Sequence, residues 1–252
     1  MATLTKKLTW LITGCSSGFG LSLVRIVQAG GHKVIATSRN ASKTPDLVKE
    51  VESKGGKWLQ LDVNDPLSGA NMETMYFGPL RLIRAVLSYQ RKRRSSVIAN
   101  FSSSAALEAQ GNMGACASAK GGLDALNKVL AKEVAPFNIR MLTVLLGTFN
   151  TNMPNAFVFG KTPLPDDYKG TVAGQIMEYI GSGKIIPNGD KDKVMKTVYQ
   201  LIAGDGFGVG KEQEKFLPLG ADTTARITLV QDQLAHAKEV FGEVTNGVGI
   251  NK

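Results

Sequence analysis

Cysteine is nearly absent from this chain: two residues, Cys15 and Cys116, stand among 252. A disulfide framework or a cysteine-based zinc site needs more thiols, so reduced thiols and no metal are the expectation. Long apolar runs are missing too. No stretch approaches the ~18 residues that a spanning helix requires. Met1 to Trp10 leads straight into a strand and a glycine turn, which leaves no room for a separate signal segment. These gaps point to a cytoplasmic protein with no membrane partner. Internal repeats and low-complexity tracts are also lacking. With 43% hydrophobic and 20% charged residues, the chain suits one α/β domain over residues 1–252.

Acidic residues are in short supply: 21 Asp and Glu face 30 Lys and Arg, a formal charge of +9. Such an excess could serve nucleic acid, an anionic surface or a polyphosphate ligand. The cations are spread widely along the chain. Their one dense run, Arg91-Lys92-Arg93-Arg94, closes an apolar helical pattern, where positive charge complements the helix dipole and faces water. A nuclear signal or nucleic-acid patch is the other reading of that run. A small-molecule partner, and no nucleic acid, is expected.

What is present is a regular alternation. Leu8 to Thr13 reads as a buried strand, Leu21 to Ala29 as a helix ended by Gly30-Gly31, and Lys33 to Ser38 as a second strand. Thr44-Pro45 supplies an N-cap and a proline at the first helical position of a helix running to about Lys54, and Trp58 to Val63 gives a third strand. This β-α-β-α-β unit is the kind that binds half of a dinucleotide, and it sets the class as α/β with a doubly wound, Rossmann-like parallel sheet in three layers. Beyond it come a helix at Met72 to Arg94, a strand at Val97 to Phe101, a helix at Gly114 to Val134 and a strand at Ile139 to Leu146. Residues 152–189 mix Pro, Gly and Asp around one helical stretch at Ala173 to Ile180, which suits a substrate lid. A helix at Lys191 to Ala203, a short strand at Phe216 to Leu219 and a helix from about Asp222 to Phe241 close the pattern.

Thr13-Gly14-Cys15-Ser16-Ser17-Gly18-Phe19-Gly20 lies between the first strand and first helix, where backbone N–H groups and a helix N-terminus can cradle a pyrophosphate. Gly14 permits the tight turn, Gly18 lets backbone approach phosphate, and Gly20 lets helix and strand pack closely. About 20 positions beyond such a turn, NAD-binding versions place an acidic residue on the ribose 2′-OH. Ser38-Arg39 stands there instead. A carboxylate would repel a 2′-phosphate and a guanidinium can pair with it bidentately, so NADP(H) is the expected cofactor.

Thr-Gly-x-x-x-Gly-x-Gly resembles the cofactor signature of the short-chain dehydrogenase/reductase family, and several stretches look closest to its fungal members. The resemblance covers nearly the whole chain. It implies that Asp62-Val63 contact the adenine, and that Gly147 and Thr151 belong to the family's Pro-Gly-x-x-x-Thr segment, with Leu146 in place of the proline. It also implies an oxidoreductase interconverting carbonyls and alcohols of a small or medium apolar metabolite, acting as a dimer or tetramer. In that family a Ser polarises the carbonyl, a Tyr delivers the proton, a Lys lowers the Tyr pKa and holds the ribose, and an Asn supports a proton-relay water. Ser103 matches the first. Lys120 matches the third, but the tyrosine position, 13 after Ser103 and four before Lys120, is Cys116. A cysteine sulfur ends roughly 4 Å short of a phenol oxygen, outside the ~2.6–3.2 Å window for direct proton transfer. Cys116 is then either a small packing residue or a thiolate favoured by Lys120. Met75 occupies the family's Asn position before Gly78-Pro79.

A larger departure lies between Asp65-Pro66 and Met72. Roughly 40 residues of the family pattern are absent there, a crossover unit holding one helix and one central strand. Either the coding segment was skipped, or Val97 to Phe101 slides inward to pair with Leu8 to Thr13, which keeps the crossover right-handed. Two functions fit these residues: an NADP(H)-dependent oxidoreductase with impaired proton delivery, or a non-catalytic NADP(H)-binding sensor or scaffold. A truncated product without a stable fold is the third outcome.

Overall fold

The computed structural model describes residues 7–62, 72–109, 111–151, 163–182, 187 and 189–248. Val63 and, within the lid expected over 152–189, residues 152–162, 183–186 and 188 lie outside the described residues. Within the first sheet, β1 (Thr9–Ile12), α1 (Gly18–Ala29), β2 (Lys33–Ser38), α2 (Pro45–Ser53) and β3 (Lys57–Gln60) follow the anticipated order. The strands are parallel in the order β1-β2-β3. Alternation puts Ile12, Val34, Ala36 and Trp58 on one face, against the Leu23, Val24 and Val27 stripe of α1. One expected cap is not made. Pro45 opens α2, but the Thr44 hydroxyl is buried without a hydrogen-bond partner. The preceding turn, capped by the Asn40 side chain accepting from the Ser42 N–H at 3.0 Å, ties the Thr44 N–H to the Ala41 carbonyl at 3.1 Å. That tie fixes the Thr44 backbone before α2 begins.

The second sheet contains β4 (Ser96–Ser103), β5 (Ile139–Leu146) and β6 (Phe216–Leu219), again parallel and in the order β4-β5-β6. A π turn at Glu73–Phe77 leads into α3 (Gly78–Arg93) before β4, and a short helix α4 (Ser104–Glu108), unforeseen from the sequence, follows it. Then come α5 (Gly114–Glu133), α6 (Val172–Gly181), α7 (Lys191–Ala203) and α8 (Ala221–Gly247). The basic run sits in the last turn of α3, where Arg94 takes the left-handed cap at φ 52°. Arg94 donates to the Pro136 carbonyl at 2.8 Å, and Arg91 and Arg94 lie over the Phe137 ring at 5.9 and 6.0 Å. Half of that run is therefore spent closing the helix onto the chain before β5. Among the described residues no helix is long and apolar enough to cross a membrane.

The inward slide of β4 onto β1 does not occur. The two sheets share no ladder, and among the described residues no strand lies between β1 and β4. The packing shows why. A single core runs beneath both sheets: Ile12, Val34 and Ala36 from one, Leu142, Val144 and Leu146 from the other, joined by α1 and by Val194, Met195 and Val198 of α7. Val97, Ala99 and Phe101 of β4 already pack on that core, and all eight residues of β4 pair with β5. Moving β4 alone would break that ladder. The helices on the opposite side, α3 and α5, pack on the second sheet through Ile83, Leu130, Met141 and Ile139. Among the described residues nothing covers the first sheet there, and Leu11 and Leu59 are 48% and 51% exposed.

His32, at the base of β2, carries a pH-dependent tie. Its Nδ1 accepts from the Leu8 N–H at 3.2 Å, so the proton resides on Nε2, 3.3 Å from the Tyr199 hydroxyl. Burial, reinforced by the nearby charge of Lys7, pushes the His32 pKa below its ordinary 6.5. The unfolded chain then binds the proton more readily than the folded one. Stability is accordingly expected to be flat above the ordinary value and to decline as pH falls below it. Thermal unfolding followed from pH 8 to pH 5, roughly, should show this slope, and His32→Gln should flatten it while lowering stability at neutral pH.

Candidate functional site

The glycine turn is built as its spacing requires. Gly14 and Gly18 have φ of +68° and +57°, the left-handed region that favours glycine. A Cβ on Gly20 would stand 2.8 Å from the Gly14 carbonyl carbon and 3.0 Å from the Thr13 oxygen, so α1 can approach the turn only because Gly20 has no side chain. Cys15 points inward, with its thiol on the Ile12 carbonyl at 3.0 Å and its N–H on Thr37 at 2.8 Å. Burial raises its pKa to about 11, which keeps the thiol protonated and inert. Ser16 and Ser17 are exposed on the outer rim, while Phe19 packs against the core. Ser17 is the N-cap residue of α1, yet its side chain makes no cap bond. A helix start leaves its first N–H groups without intrahelical partners, which is what an anion needs.

At the far end of this half, Ser38 and Arg39 close β2. The Ser38 hydroxyl is buried and accepts from the Trp58 indole at 3.1 Å, which leaves its own proton to donate. Arg39 and Asp62 are exposed at the ends of β2 and β3.

The loop after β5 crosses the turn. A Cβ on Gly18 would lie 4.0 Å from that of Thr151, and Phe19 meets Phe149 edge to face with centroids 5.8 Å apart. Two residues not anticipated from the sequence hold this loop. Asp222 accepts from the Thr148 N–H at 3.3 Å and its hydroxyl at 3.2 Å; Asn150 accepts from the Lys191 N–H at 2.8 Å. Gly147 is small for Asp222's sake, since a Cβ there would be 2.7 Å from the carboxyl carbon.

The second half of the site stands on β4 and α5. Ser103 ends β4 and caps α4, its hydroxyl oxygen accepting from the Ala105 N–H at 3.2 Å. Accepting that bond leaves the hydroxyl proton free for a carbonyl oxygen, so capping and polarisation are compatible. Cys116 lies in the first turn of α5, half-buried, with Lys120 one turn on. Lys120 donates to the Phe101 carbonyl at 2.7 Å. The Ser96 N–H bonds to Asn138 on the β5 side, so by alternation Phe101 turns its carbonyl to the edge away from β5. Lys120 thus caps an edge that no described strand pairs with. Burial lowers its pKa, opposed by Cys116 and Asp124. The Asp124 carboxyl, raised by burial, accepts from Ser102 at 2.8 Å, and Asn127 links Asn100 at 2.8 Å to Thr143 at 2.7 Å. Lys120, Asp124 and Asn127 form one polar face that locks α5 on the sheet.

The chain is similar to known proteins across this same architecture. A family model for short chain dehydrogenases matches residues 68–158. The oxidoreductase claN of Passalora fulva is 31% identical over 185 residues, 59% of this chain and 85% of that protein. The chain belongs to the short-chain dehydrogenase/reductase family. Among solved structures, a short-chain dehydrogenase from Streptomyces avermitilis superposes with a TM-score of 0.80 at 25% identity, covering 98% of this chain and 100% of that one. One from Sphingobium yanoikuyae in complex with NADPH gives 0.67 at 15% identity, covering 97% of each chain, a likeness of fold.

Within this short-chain dehydrogenase/reductase, the structure brings Gly18 of the glycine turn up to Thr151, and Lys120 beside the strand that carries Ser103. The two halves are joined through β5, which pairs with β4 along its length and whose following loop reaches Gly18. Asp222, Asn150 and Asn127 had no sequence signature, because each acts through a partner between 16 and 74 positions away.

Proposed function

We propose that this chain binds NADP(H) in the turn Gly14–Gly20 and catalyses slow carbonyl/alcohol interconversion on a small or medium apolar metabolite. The observation that carries the reading is Gly20 packed so closely on the Gly14 carbonyl that no Cβ fits between them, with Gly18 of the same turn facing Thr151. Those residues fit a dinucleotide: the N-terminus of α1 for the pyrophosphate, exposed Arg39 for a 2′-phosphate, and Ser38 and Asp62 with Val63 for the adenosine. When bound, the dinucleotide supplies hydride. Ser103 would hold the carbonyl oxygen and Lys120 the ribose, while Cys116 and Met75 leave the proton to come from water. A missing general acid costs ~10²–10⁴ in rate, so turnover should be weak.

A second reading, a non-catalytic NADP(H)-binding protein, is favoured by Cys116 and by the β1 and β4 edges, which no described strand pairs with. Oxidation of NADPH against a panel of ketones decides between them. Saturable turnover supports the enzyme; binding without turnover supports the sensor or scaffold. For the choice of cofactor, Arg39→Glu is expected to weaken NADPH binding roughly 10–100-fold, the worth of a charge-assisted pair, and to leave NADH binding within a few-fold. Equal losses for both cofactors would remove Arg39 from the 2′-phosphate site.

A further inference from the structure

Among the described residues, nothing packs over the second half of α8. Every residue from Gln231 to Phe241 is exposed, although the helix continues unbroken to Gly247. Its apolar residues are not scattered. Val230, Leu234, Ala237, Phe241, Val244 and Val248 follow one another at intervals of 4, 3, 4, 3 and 4, the alternation that gives a coiled-coil seam. Leu234, Phe241, Val244 and Val248 are 66%, 59%, 67% and 78% exposed. We propose that this seam is a self-association surface, through which two copies of the chain pair as a two-stranded coiled coil.

Three observations favour a second copy as the occupant. First, a heptad seam is self-complementary: the same stripe on a two-fold-related copy supplies matching layers from Val230 to Val244, about 21 Å of helix. Second, the flanks do not oppose it. In a parallel, in-register pair Gln233 faces Lys238 of the partner subunit and Val240 faces Thr245 of the partner subunit, with no like charges meeting. Third, the helix is acidic. Asp222, Asp232, Glu239 and Glu243 outnumber Arg226 and Lys238 in a chain whose overall charge is +9, so an anionic lipid surface would not attract it. The helix also contains Gly242 and β-branched Val240, Val244 and Thr245, poor formers that need packing to stay helical.

Sedimentation equilibrium of the full chain tests this, with Leu234→Glu and Phe241→Glu as variants. Both positions lie outside the cofactor and catalytic residues, and a cooperative thermal melt serves as the check that each variant is folded. The wild type is expected to assemble at micromolar concentration, and either variant should raise the dissociation constant roughly 30-fold or more, as loss of a central anchor does. In a larger assembly the variants should halve the mass. A monomeric wild type, or variants that assemble as the wild type does, overturns the proposal. So does recovery of the wild type, but not the variants, with vesicles containing phosphatidylserine.

Discussion

Alanine at position 20 is expected to weaken NADPH binding about 5–150-fold, the equivalent of ~1–3 kcal/mol of overpacking, without unfolding the chain. The added Cβ would press into the Gly14 carbonyl, 2.8 Å from its carbon, and neither backbone can yield freely. Gly14 is held by a left-handed φ of +68°, and α1 is pinned by Leu23, Val24 and Val27 in the shared core. The shift falls on the turn proposed to present N–H groups to phosphate. Titration of the Gly20→Ala variant with NADPH, beside a thermal melt, checks this. Wild-type affinity would mean that the turn does not hold the pyrophosphate.

The other large effect is a gain. Cys116→Tyr should raise NADPH-dependent ketone reduction by ~10²–10⁴, the usual worth of a positioned general acid. The site retains what a phenol there would need. Lys120 lies one turn away, its ammonium fixed on the Phe101 carbonyl at 2.7 Å, and Ser103 keeps a hydroxyl proton to donate. The gain should vanish when Lys120→Met is added. No gain in steady-state kcat/KM would place the defect elsewhere, in the missing crossover unit beside β1.

Strong local signals were legible in the sequence. Lys33–Ser38, Ile139–Leu146, Lys191–Ala203 and Phe216–Leu219 have the expected bounds, because apolar alternation, helical periodicity and flanking Gly or Pro set them locally. The glycine turn was legible for the same reason: its three glycines each answer a backbone demand within eight residues. What escaped depends on distant parts of the chain. The Thr44 cap failed because the turn before it had already fixed the backbone. The short helix α4 follows from Ser103 capping Ala105, a signal lost between a strand and a loop. The sheet did not close, since β4 is held by an eight-residue ladder to β5 and by a core fastened through α1 and α7. Periodicity within a strand says nothing about which neighbour it keeps. Asp222 and Asn150 were invisible for a similar reason, since they act on the loop after β5 from the far side of α7 and the start of that loop.

The central claim is that the cofactor half of this short-chain dehydrogenase/reductase is preorganised although its catalytic half lacks an acid. Isothermal titration of the purified chain with NADPH addresses it most directly. The account predicts saturable binding of one NADPH per chain, weakened by Arg39→Glu and by Gly20→Ala but unaffected by Cys116→Tyr. A folded chain that gives no saturable heat with NADPH would contradict it.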